Sequence, residues 1–271
     1  MDAIALQSTL RYKVSMTTRR WAIGLPVLRV ALVAAASVSV WLVARIDEVD
    51  LAFPPPPMLA VVAMLPVNVV CLLLVARLLR REGRTVRELL GYEPRRLGRD
   101  LLWGLLWVVV MYLPFVATIM LVVWLQYGSE IFARMETIFF DPASIPALDP
   151  VTWSVIAVVG VLTFAPLNAP VEELVYRGYA QGELDRRWPT TLAILVPAAL
   201  FATQHIWYAP TPAAVLAFVC AFFVWGAGSG LIYRRQHRLM PLVLAHGLVN
   251  LFFTLPVLVF VMMGLPVNGA V

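Results

Sequence analysis

Charge is scarce in this sequence: 14% of residues are Asp, Glu, Lys or Arg, 61% are hydrophobic, and the mean hydropathy is +0.84. A soluble domain carries about 25% charged residues, so a water-soluble globule is excluded and a polytopic membrane protein is expected. Lysine is nearly missing, with Lys13 alone among 21 basic residues. Such arginine usage fits a GC-rich bacterial genome, and a bacterial inner (plasma) membrane is the expected location. Cysteine is limited to Cys71 and Cys220, both inside apolar stretches. They supply neither a disulfide framework nor a Cys-x-x-Cys metal site. Also lacking is a basic patch interleaved with aromatics, so nucleic-acid binding is not expected. The net charge of +5 gathers at the ends of apolar runs, where it sets topology or meets anionic lipid headgroups. Internal repeats are absent, and the one biased segment is Pro54 to Pro57, a stiff extended lead-in to the run that follows. Arg11, Lys13, Arg19 and Arg20 precede a long apolar stretch without a small-residue cleavage site, which reads as a retained first span.

Apolar runs near 22–44, 57–76, 101–126, 152–170, 190–208, 212–233 and 241–264 each approach the roughly 20 residues that a bilayer requires. The expected fold is an all-α transmembrane bundle of seven spans, or eight if the last run, with Pro256 and Pro266, splits into a helix and a re-entrant piece. There is no room for a soluble domain. Residues 1–150 form the N-terminal helices of the bundle, with an arginine-rich segment at 77–100. Residues 151–264 form the core that carries the polar motifs, and 265–271 a short tail. The arginine-rich segment contains Val86-Arg87-Glu88-Leu89-Leu90, which suits either an amphipathic helix on the headgroups or a solvated loop. The basic connections alternate with poorly basic ones, so the positive-inside rule puts the N-terminus in the cytoplasm and, with seven spans, the C-terminus outside.

Against this apolar background stand three polar signatures: Glu172-Glu173-x-x-x-Arg177, Phe201-x-x-x-His205 and His246-x-x-x-Asn250. Ionisable groups at membrane depth are costly and mark functional sites. Glu173 and Arg177 share a helix face and can pair, while Glu172 points about 100° away. That leaves Glu172 free to face a cavity as a base. Pro166 and Pro170 interrupt the helical ladder just upstream, so a kink or restart can open space there. The competing reading is a helix that has emerged into water at Glu172. Hairpin arithmetic favours the site: Glu172 and His205 are nearly equidistant from the turn at Arg186-Arg187-Trp188-Pro189, which brings them to similar depth. A carboxylate beside an imidazole can share a water, and Phe201, one turn before His205, can pack the ring. His246 and Asn250 offer two donors from one face for a developing oxyanion, or act as interhelical glue. Gly226-Ala227-Gly228-Ser229-Gly230 reads as a close-packing surface.

In order and context, the three signatures resemble the CPBP family of intramembrane proteases, also called the Abi or type II CAAX prenyl endopeptidase family. The resemblance covers about residues 150 to 255. It implies a peptidase in which Glu172 activates water with the help of His205, and His246 and Asn250 stabilise the oxyanion. Glu173, Arg177 and Phe201 then serve as structural support. The expected substrate is a membrane-embedded or lipid-anchored peptide, and the partners are that substrate and membrane lipids. The family has been labelled metalloprotease, yet the motifs contain no His-Glu-x-x-His and no cysteine ligand. A metal-free glutamate mechanism is expected; the zinc alternative would use Glu172, His205 and His246 as ligands. A non-catalytic membrane protein of the same fold, such as a bacteriocin immunity factor or regulatory scaffold, is the competing functional class. A transporter would call for repeated halves, which the chain lacks. No feature of the sequence assigns an oligomeric state.

Overall fold

A chain in lipid satisfies its backbone polar groups internally, and a helix does so within one segment. The computed structural model describes residues 3–47, 49, 51, 53–139 and 145–265, with side chains from residue 20 onward. Every regular element among the described residues is helical. The major ones are α1 (Ala3–Ile46), α2 (Pro57–Ala60), α3 (Met64–Arg81), α4 (Val86–Leu90), α5 (Leu97–Tyr127) and α6 (Ile131–Phe139). They are followed by α7 (Pro150–Val159), α8 (Ala165–Glu173), α9 (Gly182–Leu184), α10 (Thr190–Gln204), α11 (Val215–Gln236) and α12 (Met240–Met262). Among the described residues, six stretches are long and apolar enough to cross a membrane. Large apolar side chains such as Leu102, Leu113, Leu125, Phe252 and Met262 stand exposed on their outer surfaces, as lipid contact demands.

The span expected at 57–76 is not among those six. Pro57 opens the short α2, a turn follows, and α3 carries Arg77, Arg80 and Arg81 within its 18 residues. It nevertheless runs the length of the bundle. At one end, Phe53 meets Trp207 at 6.0 Å, and at the other, Arg84 lies 3.7 Å from Glu183. The last run is a single helix with Pro256 inside, rather than two pieces; Pro266 and the rest of the expected tail beyond 265 lie outside the described residues. In the arginine-rich segment, Val86–Leu90 is helical, so the solvated-loop alternative does not hold for these residues. They form the five-residue α4, closed by a Thr85/Glu88 capping box and by Gly91 in the left-handed conformation, and Leu89 tucks into the core.

Pro150 to Leu184 is one continuous helix, where the prolines suggested a kink or restart. The ladder widens to π geometry over Gly160–Phe164 and again over Leu174–Gln181, so Pro166 and Pro170 are absorbed without a restart. Such widenings occur often at functional sites, and these two bracket the segment that carries Glu172 and Glu173. The expected small-residue surface on α11 is a packing device. A Cβ on Gly226 would fall 3.0 Å from Ala198 Cα of α10, so a side chain there would push the two helices apart.

Candidate active site

The polar centre is assembled where α1, α3, α8, α10 and α12 meet, and its charged members are buried. Glu172 leaves the end of α8, and its two oxygens have different surroundings. Oε1 accepts from Arg29 Nη2 at 2.8 Å and from Gln204 Nε2 at 2.9 Å. Oε2 is buried and accepts no hydrogen bond from any described residue, with His246 Nε2 at 3.4 Å but not aligned to donate. The sequence left Glu172 entirely free; the structure leaves one of its oxygens so. It also excludes the alternative of a helix emerging into water at this point, since Glu172 is 2% exposed.

Glu173 takes the partner its spacing suggested, with Arg177 Nη1 at 3.2 Å from its Oε1. The same oxygen is 3.0 Å from His246 Nδ1. His246 therefore stands between the two adjacent carboxylates. Arg177 also lies over the Phe201 ring, 4.4 Å from its centroid, in cation–π contact.

His205 ends α10, and its Nδ1 donates to the Phe201 carbonyl at 2.7 Å. In the neutral imidazole this leaves Nε2 as an acceptor. Phe201 packs against the ring at 4.7 Å, and Phe222 of α11 stacks on it at 3.5 Å with an interplanar angle of 11°. The hairpin brings His205 to the depth of the carboxylates, but the residue bonded to Glu172 is its neighbour Gln204. Asn250, one turn past His246 on α12, is buried with its Nδ2 unpartnered.

Five participants escaped sequence reading. Arg29 of α1 is fully buried and donates to Gln204 Oε1, Asn68 Oδ1, Asn168 Oδ1 and Glu172 Oε1. Gln204, Asn68 and Asn168 complete the set, and Tyr176 adds its hydroxyl to Gln204 Oε1 at 2.9 Å. Arg29 carried a signal: a charge inside the first apolar run is the same anomaly that singled out Glu172.

The zinc alternative needs Glu172, His205 and His246 to converge. Among the described residues no three His, Cys, Asp or Glu side chains form a group able to hold a metal ion. The guanidinium on Glu172 Oε1 also opposes a second cation there, so these residues as arranged do not fit a preformed metal site. A cavity of about 390 Å³ lies elsewhere, lined by Ala22, Ile23, Glu183, Leu184, Arg187 and Trp188, and includes none of these side chains.

The arrangement thus offers a charge-balanced carboxylate with one unengaged oxygen, an imidazole acceptor and an unpartnered amide donor, which are the parts of a hydrolytic centre. No curated protein and no solved structure matches the chain. Residues 151–252, which hold Glu172, His205, His246 and Asn250, match the family described as Rce1-like, type II CAAX prenyl endopeptidase Rce1-like, and this supports a peptidase role for an integral membrane protein.

Proposed function

We propose that the protein is an intramembrane endopeptidase that cleaves a peptide bond in a membrane-embedded or lipid-anchored substrate by a metal-free glutamate mechanism. The observation that carries this reading is the asymmetry of Glu172, whose Oε1 is held twice while the buried Oε2 is unpartnered. Oε2 takes a proton from water as the water oxygen attacks the scissile carbonyl carbon. His205 Nε2 orients that water by accepting its second proton in a hydrogen bond. The oxyanion that forms is received by Asn250 Nδ2 and by the imidazole of His246, whose Nδ1 is fixed by Glu173. When the C–N bond breaks, Glu172 returns the proton to the leaving amine, and the products are a carboxylic acid and an amine.

The test uses purified protein in lipid vesicles with an internally quenched peptide carrying a prenylated cysteine near its C-terminus. Wild type is expected to cleave it, with activity surviving exhaustive chelation. Glu172→Gln, which preserves shape but cannot accept the proton, should abolish cleavage. Cleavage by Glu172→Gln at the wild-type rate would sink the mechanism, and zinc-restorable loss on chelation would turn Glu172, His205 and His246 into ligands. A second reading draws on the Arg29–Glu172 ion pair at 2.8 Å: a non-catalytic membrane protein that uses the pair to hold its helices together. Full complementation of a deletion phenotype by Glu172→Gln would favour it.

A further inference from the structure

We propose that Arg29 is a positioning residue of the hydrolytic site, which clamps Glu172 so that Oε2 alone is presented to the attacking water. The word hydrolytic rests on the peptidase reading above; the clamp rests on geometry. Arg29 lies in α1, outside the segment 151–252 that matches the peptidase family, so the site is completed by a helix that the match does not include.

The terminal torsion of a glutamate is broad and close to two-fold, so a free carboxylate exchanges its oxygens readily. Two donors on Oε1, at 2.8 and 2.9 Å, remove that freedom. Arg29 acts on both. It donates to Oε1 directly from Nη2, and it dictates which end of the Gln204 amide faces Glu172. A guanidinium can only donate, so its Nε, 3.2 Å away, requires Gln204 to turn its oxygen toward Arg29. Gln204 Nε2 is then left to bond Glu172.

A simple counter-ion would not need this surround. Three amide oxygens, from Asn68 at 3.0 Å, Asn168 at 2.8 Å and Gln204, are set around the planar fork and fix its plane. Asn68 does so while its own Nδ2 is buried without a partner. That cost is incurred for the orientation of Arg29, which a lysine's point charge would not provide. Holding a reacting group in its productive geometry before substrate arrives removes an entropic part of the barrier.

Arg29→Lys is the informative variant, because it keeps the charge and gives up the fork. It is expected to melt near the wild-type temperature in detergent and to bind the prenylated peptide with unchanged KM. Its kcat should fall by about 100-fold, the scale of loss when a reacting group is misplaced by an ångström. Wild-type kcat in this variant would overturn the proposal. Arg29→Met strands Glu172 without its counter-charge and should lose folded yield, whereas Arg29→Met combined with Glu172→Gln removes both charges and should recover it. Equal losses from Arg29→Met with and without Glu172→Gln would show that no clamp exists. Should wild type cleave no prenylated peptide, the peptidase reading fails separately, and the yield comparison still decides for or against the clamp.

Discussion

At the residue scale the site is a balance of four buried charges, Glu172 with Arg29 and Glu173 with Arg177, interleaved with His205 and His246. Adjacent positions on a helix point about 100° apart, which is why neighbouring glutamates reach different arginines on different elements. Roles separate accordingly, and so should the damage done by substitution. His205→Ala is expected to be as severe as Glu172→Gln, since the water loses its orienting acceptor. Asn250→Ala removes one oxyanion donor, a loss of about 100- to 1000-fold in turnover, so a residual rate should remain measurable in the vesicle assay. The remote His237, in the α11–α12 turn, serves as a control whose replacement by Ala should leave turnover unchanged. An Asn250→Ala variant as inactive as Glu172→Gln would show that Asn250 does more than donate. The motif residues were legible because each pair is a local spacing of four on a helix. Arg29 was not, because its link to Glu172 spans 143 residues and no periodicity joins them.

At the element scale, the helical form of the apolar runs was legible from hydropathy, because lipid leaves helix as the form available to each run, but their limits were not: the helix expected over 152–170 continues to Leu184. The π widenings were not, since proline announces a defect in the ladder without specifying whether the helix breaks or expands. Nor was the split between α2 and α3, where hydropathy continues across a turn. The glycines of α11 make a sharp test of element packing. Gly226→Ala places a Cβ 3.0 Å from Ala198 Cα and should cost about 1–3 kcal/mol through overpacking. Because Phe222, one turn earlier, stacks on His205, separating α10 from α11 should also lower kcat. Gly228→Ala meets nothing closer than Met111 Cγ at 3.9 Å and should be neutral or stabilising by melting temperature. Equal melting temperatures for the two variants would refute this packing account.

The start of α7 responds to pH. Asp149 caps it by accepting from the Val151 and Thr152 amides at 2.9 and 3.0 Å and from the Thr152 hydroxyl. These bonds, that of the Thr152 side chain foremost, hold the carboxyl below its ordinary range. A pKa depressed in the folded state means that the cap's contribution is present above the ordinary carboxyl pKa and is lost as pH falls through the lowered one. Acidification should therefore speed amide exchange at Val151 and Thr152 beyond its intrinsic change, and Asp149→Asn should flatten that dependence. An identical pH profile in wild type and Asp149→Asn would remove the cap from the account.

At the scale of the whole molecule, several arginines that are dispersed along the sequence come together at one end of the bundle. Arg84 and Arg186 both approach Glu183, Arg234 pairs with Asp185 at 2.6 Å, and Arg238 pairs with Asp100 at 2.6 Å. The 77–100 segment, the 185–189 turn and the 234–239 loop therefore share one face. The opposite end is aromatic and less basic, with Trp41, Phe53 and Trp207 in contact, Arg45 over Trp41, Arg134 paired with Glu130, and Thr211 bonded to the Ile138 carbonyl of α6. This polarity of ends follows from α3 running back along the bundle, which keeps the connections alternating. Because short basic loops are retained on the cytoplasmic side, the arginine-rich end and the N-terminus should face the cytoplasm. In a background with Cys71 and Cys220 replaced by Ala, a membrane-impermeant thiol reagent should label Ser129→Cys in intact cells. Arg95→Cys should react only after permeabilisation, since both positions are exposed but lie at opposite ends of α5. The reverse pattern would turn the molecule over in the membrane and would open the aromatic end beside His205 to the cytoplasm, giving a different supply of substrate to the same catalytic groups.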